Sequence, residues 1–254
     1  MSWKIKSIWC WSLCLVAMQT VCASPLFAQE PAFVSLNFED QVAGMNCQSP
    51  KRNWGSQGKD LVLIDNINTV KGDGNCMLLE RPEGYKSSGW GVGMNLPQKQ
   101  YDWLKIQVSF LLDGPATKAT AGLELREHYN KRLYFASLGS AKGKDPITLI
   151  DGGSGWKTSK TNTFDRKVWN RVTWYVPSVT ATDMTMHLQL ETWDSKNKAW
   201  QVVGKIGSME ASKAEKPFAS FRINFPGGEE SIKLRFDDLL IEPMTNEQIN
   251  LLIK

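Results

Sequence analysis

Leu104-Lys105-Ile106-Gln107-Val108-Ser109-Phe110-Leu111-Leu112 sets an apolar side chain at every second position, with Lys105, Gln107 and Ser109 between them. Successive side chains of a strand point to opposite faces, so the stretch reads as a strand with one oily and one polar side. The same rhythm returns in Met184, Met186, Leu188 and Leu190 against Thr185, His187, Gln189 and Glu191. Val172, Trp174 and Val176 oppose Arg171, Thr173 and Tyr175, and Leu123 and Leu125 oppose Glu124, Arg126 and His128. Turn-forming clusters separate the runs, among them Lys71-Gly72-Asp73-Gly74-Asn75, Asp151-Gly152-Gly153-Ser154-Gly155, Asp194-Ser195-Lys196-Asn197 and Pro226-Gly227-Gly228. Roughly a dozen short strands punctuated in this way predict an all-β chain, an antiparallel sandwich of two sheets whose inner faces make the core.

Helical signals gather only at the end. Thr245 and Gln248 have capping-box spacing, and Met244 with Ile249 has the spacing of a hydrophobic staple, so residues 244–254 are expected to form a short C-terminal helix or tail. At the other end Lys4 and Lys6 precede an uncharged apolar stretch from Ile8 to Val21, the pattern of an export signal over residues 1–28. Cleavage fits after Ala28 or after Ala23, which leaves a sandwich domain over 29–243 and a secreted, periplasmic or cell-envelope location. No other run reaches the roughly 18 apolar residues of a spanning helix.

Three of the five cysteines, Cys10, Cys14 and Cys22, lie in the signal. Cys47 and Cys76 remain, and in an oxidising compartment they read as one disulfide, or else as two buried thiols. Lys and Arg number 30 against 26 acids, and loss of Lys4 and Lys6 reduces the net charge from +4 to +2. Scattered charge of this kind lacks the basic stripe of a nucleic-acid binder, and a monomer is expected.

Phe38-Glu39-Asp40 and Phe236-Asp237-Asp238 form matching bookends in short apolar runs. If first and last strands pair, Glu39, Asp40, Asp237 and Asp238 approach one another, and carboxylates so gathered suit a structural Ca²⁺. The polar sets of three strands, Glu124, Arg126 and His128; Arg171 and Tyr175; His187, Gln189 and Trp193, are the expected ligand-binding face. Polysaccharides and oligosaccharides offer hydroxyls to such groups and C–H faces to Trp or Tyr, with Trp90 and Trp156 as further aromatic candidates. A purely solvated sheet face is the competing reading, since every half-buried strand has a polar side.

Catalysis on that face takes two forms. Elimination on a uronic acid needs a base and a group that offsets enolate charge, for which His187, Tyr175, Arg126 and Gln189 are the residue types at hand. Hydrolysis needs two carboxylates about 5 to 9.5 Å apart, and Glu124 with Glu191 is the candidate pair. Close His or Cys pairs for zinc, a Gly-x-Ser-x-Gly elbow and a phosphate loop are all missing from the sequence.

Asn37-Phe38-Glu39-Asp40, Trp169-Asn170-Arg171-Val172 and Phe236-Asp237-Asp238-Leu239 together resemble the concanavalin A-like or laminin-G-like jelly rolls of secreted bacterial proteins. The resemblance implies two stacked antiparallel sheets, a structural calcium near the joined termini and a carbohydrate-binding face. Glu124-Leu125-Arg126-Glu127 resembles the tail of the Arg-Thr-Glu-Leu-Arg strand of jelly-roll alginate lyases, with Gly122 where that family has its first Arg. His187-Leu188-Gln189 is a reversed form of that family's Gln-Ile-His element, and its late Tyr-Phe-Lys-x-Gly strand has no counterpart. The function expected is a secreted, non-catalytic glycan-binding domain. A polysaccharide lyase or glycoside hydrolase of the same fold, or a structural or adhesion domain of the envelope, is the alternative.

Overall fold

The computed structural model of the chain describes residues 30–47, 55–56, 62–67, 69–70, 72, 74–84, 89–114, 121–128, 131–139, 146–153, 155–226 and 231–253. The expected signal segment lies outside them. Among the described residues sixteen strands form two antiparallel sheets, one of nine strands and one of seven, and one helix follows them.

The nine-stranded sheet runs in the order β13 (Ala199–Val202), β12 (Thr185–Asp194), β11 (Asn170–Pro177), β6 (Trp103–Asp113), β16 (Ile232–Met244), β4 (Cys76–Arg81) and β3 (Val62–Asp65). β14 (Gly207–Glu210) continues beside the first half of β12, and β1 (Val34–Leu36) pairs with the second half of β16. The seven-stranded sheet runs β10 (Lys157–Thr163), β9 (Pro146–Asp151), β8 (Lys131–Leu138), β7 (Ala121–His128), β15 (Ser220–Pro226), β5 (Gly89–Asn95) and β2 (Gly55–Ser56).

The alternation seen in the sequence is the alternation of burial. Leu104, Ile106, Val108, Phe110 and Leu112 of β6 and Val172, Trp174 and Val176 of β11 all point inward. They meet Leu123 and Leu125 of β7, Ala136 of β8, Leu149 of β9 and Phe221 and Ile223 of β15 from the other sheet. One contiguous apolar layer therefore lies between the sheets, and every polar partner in these strands is turned to an outer face.

First and last strands do join. Val34, Ser35 and Leu36 pair with Ile241, Leu240 and Leu239, and the Phe38 ring meets Phe236 edge-on at 5.8 Å. β16 changes partner from β4 to β1 across a bulge between Asp237 and Leu240, where Asp238 takes the left-handed φ of 49°.

The C-terminal segment forms α1 (Asn246–Leu252) with both arms of the capping box between Thr245 and Gln248 in place. Met244 and Ile249 pack on Trp103 and Tyr175, so the helix covers one end of the outer face of the nine-stranded sheet. Trp103 Nε1 donates to Asn246 Oδ1 at 3.0 Å, which ties the helix start to β6.

The expected disulfide is not formed: no bond joins Cys47 and Cys76. The Cys47 amide donates to Val62 at the start of β3, whereas Cys76 pairs with Asp65 at its end. Three residues of strand amount to about 10 Å, beyond the ~7 Å Cα limit for a bridge. The thiols also face opposite ways. Cys47 packs on the main core, while Cys76 joins Val70, Leu111 and Trp169 on the outer side, where burial and then Asp65 and Asp237 push its pKa up to about 12.

Candidate functional site

The residues expected to share one wall lie on two. β11 and β12 pair as anticipated, with Tyr175 opposite His187, Thr173 opposite Gln189 and Arg171 opposite Glu191. That set belongs to the outer face of the nine-stranded sheet. Glu124, Arg126 and His128 belong to β7, the central strand of the other sheet, and their face is turned the opposite way. Stacked sheets alone are about 10 Å apart, so Arg126 cannot share a reacting sugar with His187 and Tyr175. Glu124 and Glu191 are divided by the same core, which removes the hydrolytic pair. Period two tells which residues share a side of a strand; it does not tell which sheet the strand enters.

The charged groups on the wall of the nine-stranded sheet pair with one another. Arg171 holds Glu191 through two bonds of 2.7 and 2.8 Å and lies over the Trp200 ring at 4.5 Å, and Trp200 meets Trp193 edge-on. His187 is buried, stacked on Trp103, with Nδ1 against Ser208 Oγ at 2.9 Å and Nε2 enclosed without a partner. Burial pulls the His187 pKa below its usual value against a smaller upward pull from Asp183, and burial raises that of Tyr175. Neither is poised as a base on an open surface.

The consequence for stability has a definite sign. Between the depressed folded pKa and about 6.5, the unfolded chain binds the proton more readily, so His187 destabilises the fold as pH falls through that window. Above the window its contribution is flat. Thermal melting from pH 7.5 down to 5 is expected to show a steeper loss of Tm for the parent chain than for His187→Gln; parallel curves would refute the assignment.

The other outer face is built around one carboxylate. Glu124 has no solvent exposure, although it stands on the polar side of the central strand. Arg126 Nε donates to its Oε1, Arg132 Nε pairs with its Oε2 at 2.7 Å, and Asn224 Nδ2 donates to Oε2 at 2.7 Å. These partners come from β7 itself, from β8 and from β15. A carboxylate buried with two guanidinium groups fixes both in place, since leaving any of the three unpaired is costly.

Glycines make room for what covers it. Gly122 has no Cβ, and one built there would lie 1.9 Å from Phe135 Cζ, so the Phe135 ring lies across Gly122. The Arg222 stem lies across Gly93 in the same way, directly opposite Glu124 in register. The Arg132 guanidinium stands 5.2 Å from the Phe135 centroid and 5.6 Å from that of Trp156, fixed by an aromatic ring on each. Trp156 is 54% exposed and has a left-handed φ of 66°, a conformation costing on the order of 1–2 kcal/mol for a residue with a side chain. An exposed Trp beside an arginine has the chemistry of a stacking platform.

Of the expected binding residues, Glu124 and Arg126 fall within this site, and His128 lies at the exposed end of the same strand. Arg171, Tyr175, His187, Gln189 and Trp193 do not. Arg132, Phe135, Arg222 and Asn224 were missed. A legible hint was the alternation Gly89, Gly91, Gly93 on β5, with Gly122 on β7, because glycine repeated at period two leaves one side of a strand bare for neighbours to lie across.

The bookend carboxylates do not gather as a cage. Glu39 accepts the Asn75 amide at 3.1 Å and Asp237 accepts the Asp238 amide at 2.7 Å. Asp65, which lies near Cys76 together with Asp237 and Glu39, is held by Arg235 at 2.6 Å. Among the described residues no group of three or more His, Cys, Asp or Glu is placed to hold a metal ion, and no step is derived through Ca²⁺. Among the described residues no helix is long and apolar enough to cross a membrane.

No protein-family profile matches the chain, and no curated protein matches its sequence. Solved structures do match. A PL-14 alginate lyase from Aplysia kurodai aligns with a TM-score of 0.57 at 8% identity, covering 84% of this chain and all of that one. A legume lectin-like domain from Entamoeba histolytica aligns at 0.53 and 10% identity, covering 85% and 100%. A GH131 β-glucanase catalytic domain from Podospora anserina aligns at 0.52 and 11% identity, covering 85% and 97%. Likeness at such identities carries the fold alone: the chain has a two-sheet jelly-roll β-sandwich fold, similar to that of these proteins.

Proposed function

We propose that this is an exported glycan-binding domain that engages its ligand on the outer face of the seven-stranded sheet and does not cleave it. The observation that carries the reading is the arrangement at Glu124: two arginines fixed by one buried carboxylate, one of them beneath an exposed Trp156. Sugars are recognised by planar hydrogen-bonding groups set next to an aromatic face, and here both are immobilised before a ligand arrives. The similar folds named as lectin-like, alginate lyase and β-glucanase agree with a carbohydrate ligand. The separation of the acid–base candidates by the core supports binding without cleavage, since His187 and Tyr175 line the far wall.

Retention on a panel of insoluble or immobilised polysaccharides tests the proposal, with new reducing or unsaturated ends measured in the same tubes. Trp156→Ala is expected to weaken retention at least tenfold, and Trp200→Ala, on the other wall, to leave it unchanged. Chain cleavage that survives purification would overturn the non-catalytic reading. Equal retention of the Trp156→Ala protein would move the site elsewhere.

A further inference from the structure

Trp156 stands at the end of the turn between β9 and β10, and that turn is fastened to one buried carboxylate. Asp151 is 1% exposed, and its backbone pairs with Lys157 of β10 on one side and with Tyr134 of β8 on the other. Its Oδ1 accepts the Gly153 amide at 2.9 Å, and its Oδ2 accepts the Ser212 amide at 2.7 Å and the Ser212 hydroxyl at 2.8 Å. Ser212 is itself held. Its carbonyl accepts the Tyr134 hydroxyl, and the Ala211 amide before it donates to Met184 O at 2.7 Å, at the entry to β12. The carboxylate thus bonds the turn to a segment anchored on the other sheet.

The same turn rests on the strand that carries Arg132. The Gly152 amide donates to Leu133 O at 2.7 Å, and a Cβ built on Gly152 would lie 3.0 Å from Arg132 O and 3.2 Å from Leu133 O. A Cβ on Gly153 would lie 2.9 Å from Leu133 Cδ1 and 3.0 Å from Ser212 Cβ. Only a turn bare of side chains at both positions lies this close to β8.

We infer that Asp151 is a positioning residue of the glycan site: it holds the turn on β8 and so sets the Trp156 ring beside the Arg132 guanidinium. The inference rests on the glycan reading above. Asp151 offers almost no surface to a ligand, so it acts through the turn. Trp156 is more than half exposed, and its place is set more by the backbone beneath it than by packing around it. A large side chain held in place before binding spares its ordering cost, worth roughly 2- to 10-fold in affinity.

Affinity for insoluble cellulose, xylan and chitin and for immobilised polygalacturonate, measured by depletion well below the melting temperature, tests the assignment. Asp151→Ala is expected to weaken binding to the retained polymer about fivefold in the parent chain and not at all in the Trp156→Ala chain, where the ring it places is gone. Asp151→Asn keeps a carbonyl oxygen for the Gly153 amide and should restore part of the loss. Gly152→Ala, whose Cβ presses the turn away from β8, should weaken binding to a similar degree with Asp151 intact, and it replaces Asp151→Ala if melting curves show that variant unfolded. A lowered Tm with unchanged affinity would make Asp151 purely structural and overturn the inference. Equal losses in the parent and Trp156→Ala chains would overturn it too, since they put its effect elsewhere. Both outcomes leave the glycan reading standing, whereas retention on none of these polymers, or a Trp156→Ala chain that binds like the parent, overturns both.

Discussion

Glu124→Ala is expected to lower the unfolding free energy by about 3 kcal/mol and to abolish retention on glycan. Removing one member of a buried ion cluster costs roughly 3–5 kcal/mol, because the partners keep their charge and lose its counterpart. Here the lower end applies. The Arg126 and Arg132 side chains are 16% and 34% exposed, so each recovers some hydration by swinging outward. That same movement destroys the site, since Arg132 then leaves Phe135 and Trp156. Denaturant titration with unchanged slope measures the first effect, and the polysaccharide panel the second. Pairing Glu124→Ala with Arg126→Ala closes a cycle: the double variant should be more stable than the summed losses predict. A midpoint equal to that of the parent chain would mean that the cluster is an ordinary solvated pair and carries neither fold nor site.

What the sequence made legible, and what it hid, follows from the range of the signal. Period two in Leu104 to Leu112 is local, and β6 buries the anticipated side chains. The pairing of Tyr175 with His187 was also legible, because β11 and β12 are consecutive and a short connection makes them neighbours. β7 is different. Its partners are β8, next in the chain, and β15, about a hundred residues on, and nothing local to Glu124 reports the second of these. The choice of sheet is made by how inner faces fill the core, a property of the whole chain. The Glu124 site therefore stayed hidden as a site even though Glu124 and Arg126 were both singled out. β8 obscured itself further: register shifts against β7 break the alternation around Arg132, so its polar side does not show in the sequence.

The bookends carried a true prediction with a different chemistry. The two segments meet through the rings beside those carboxylates. Phe38 and Phe236 are almost fully buried and in edge-to-face contact at 82°. Phe38 holds a left-handed φ of 59°, so the chain accepts local strain to turn that ring inward after β1 ends. Phe236 sits on β16 where that strand is bonded to β4 and β6 together, just before the bulge that hands it to β1. A cavity opened there lies at the junction of first and last strands and cannot be filled by a loop. Phe236→Ala is accordingly expected to cost about 3–5 kcal/mol, which for a domain of this size lowers Tm by roughly 6–20 °C. Phe38→Ala should cost less, since β1 has only three residues and can detach without opening the inner layer. The two losses should fall short of additivity by about 0.5–1.5 kcal/mol, the worth of an edge-to-face pair beyond its buried area. Strict additivity in that cycle, or a Phe236→Ala loss below 1 kcal/mol, would show that the closure is made by the β1–β16 hydrogen bonds and not by the rings.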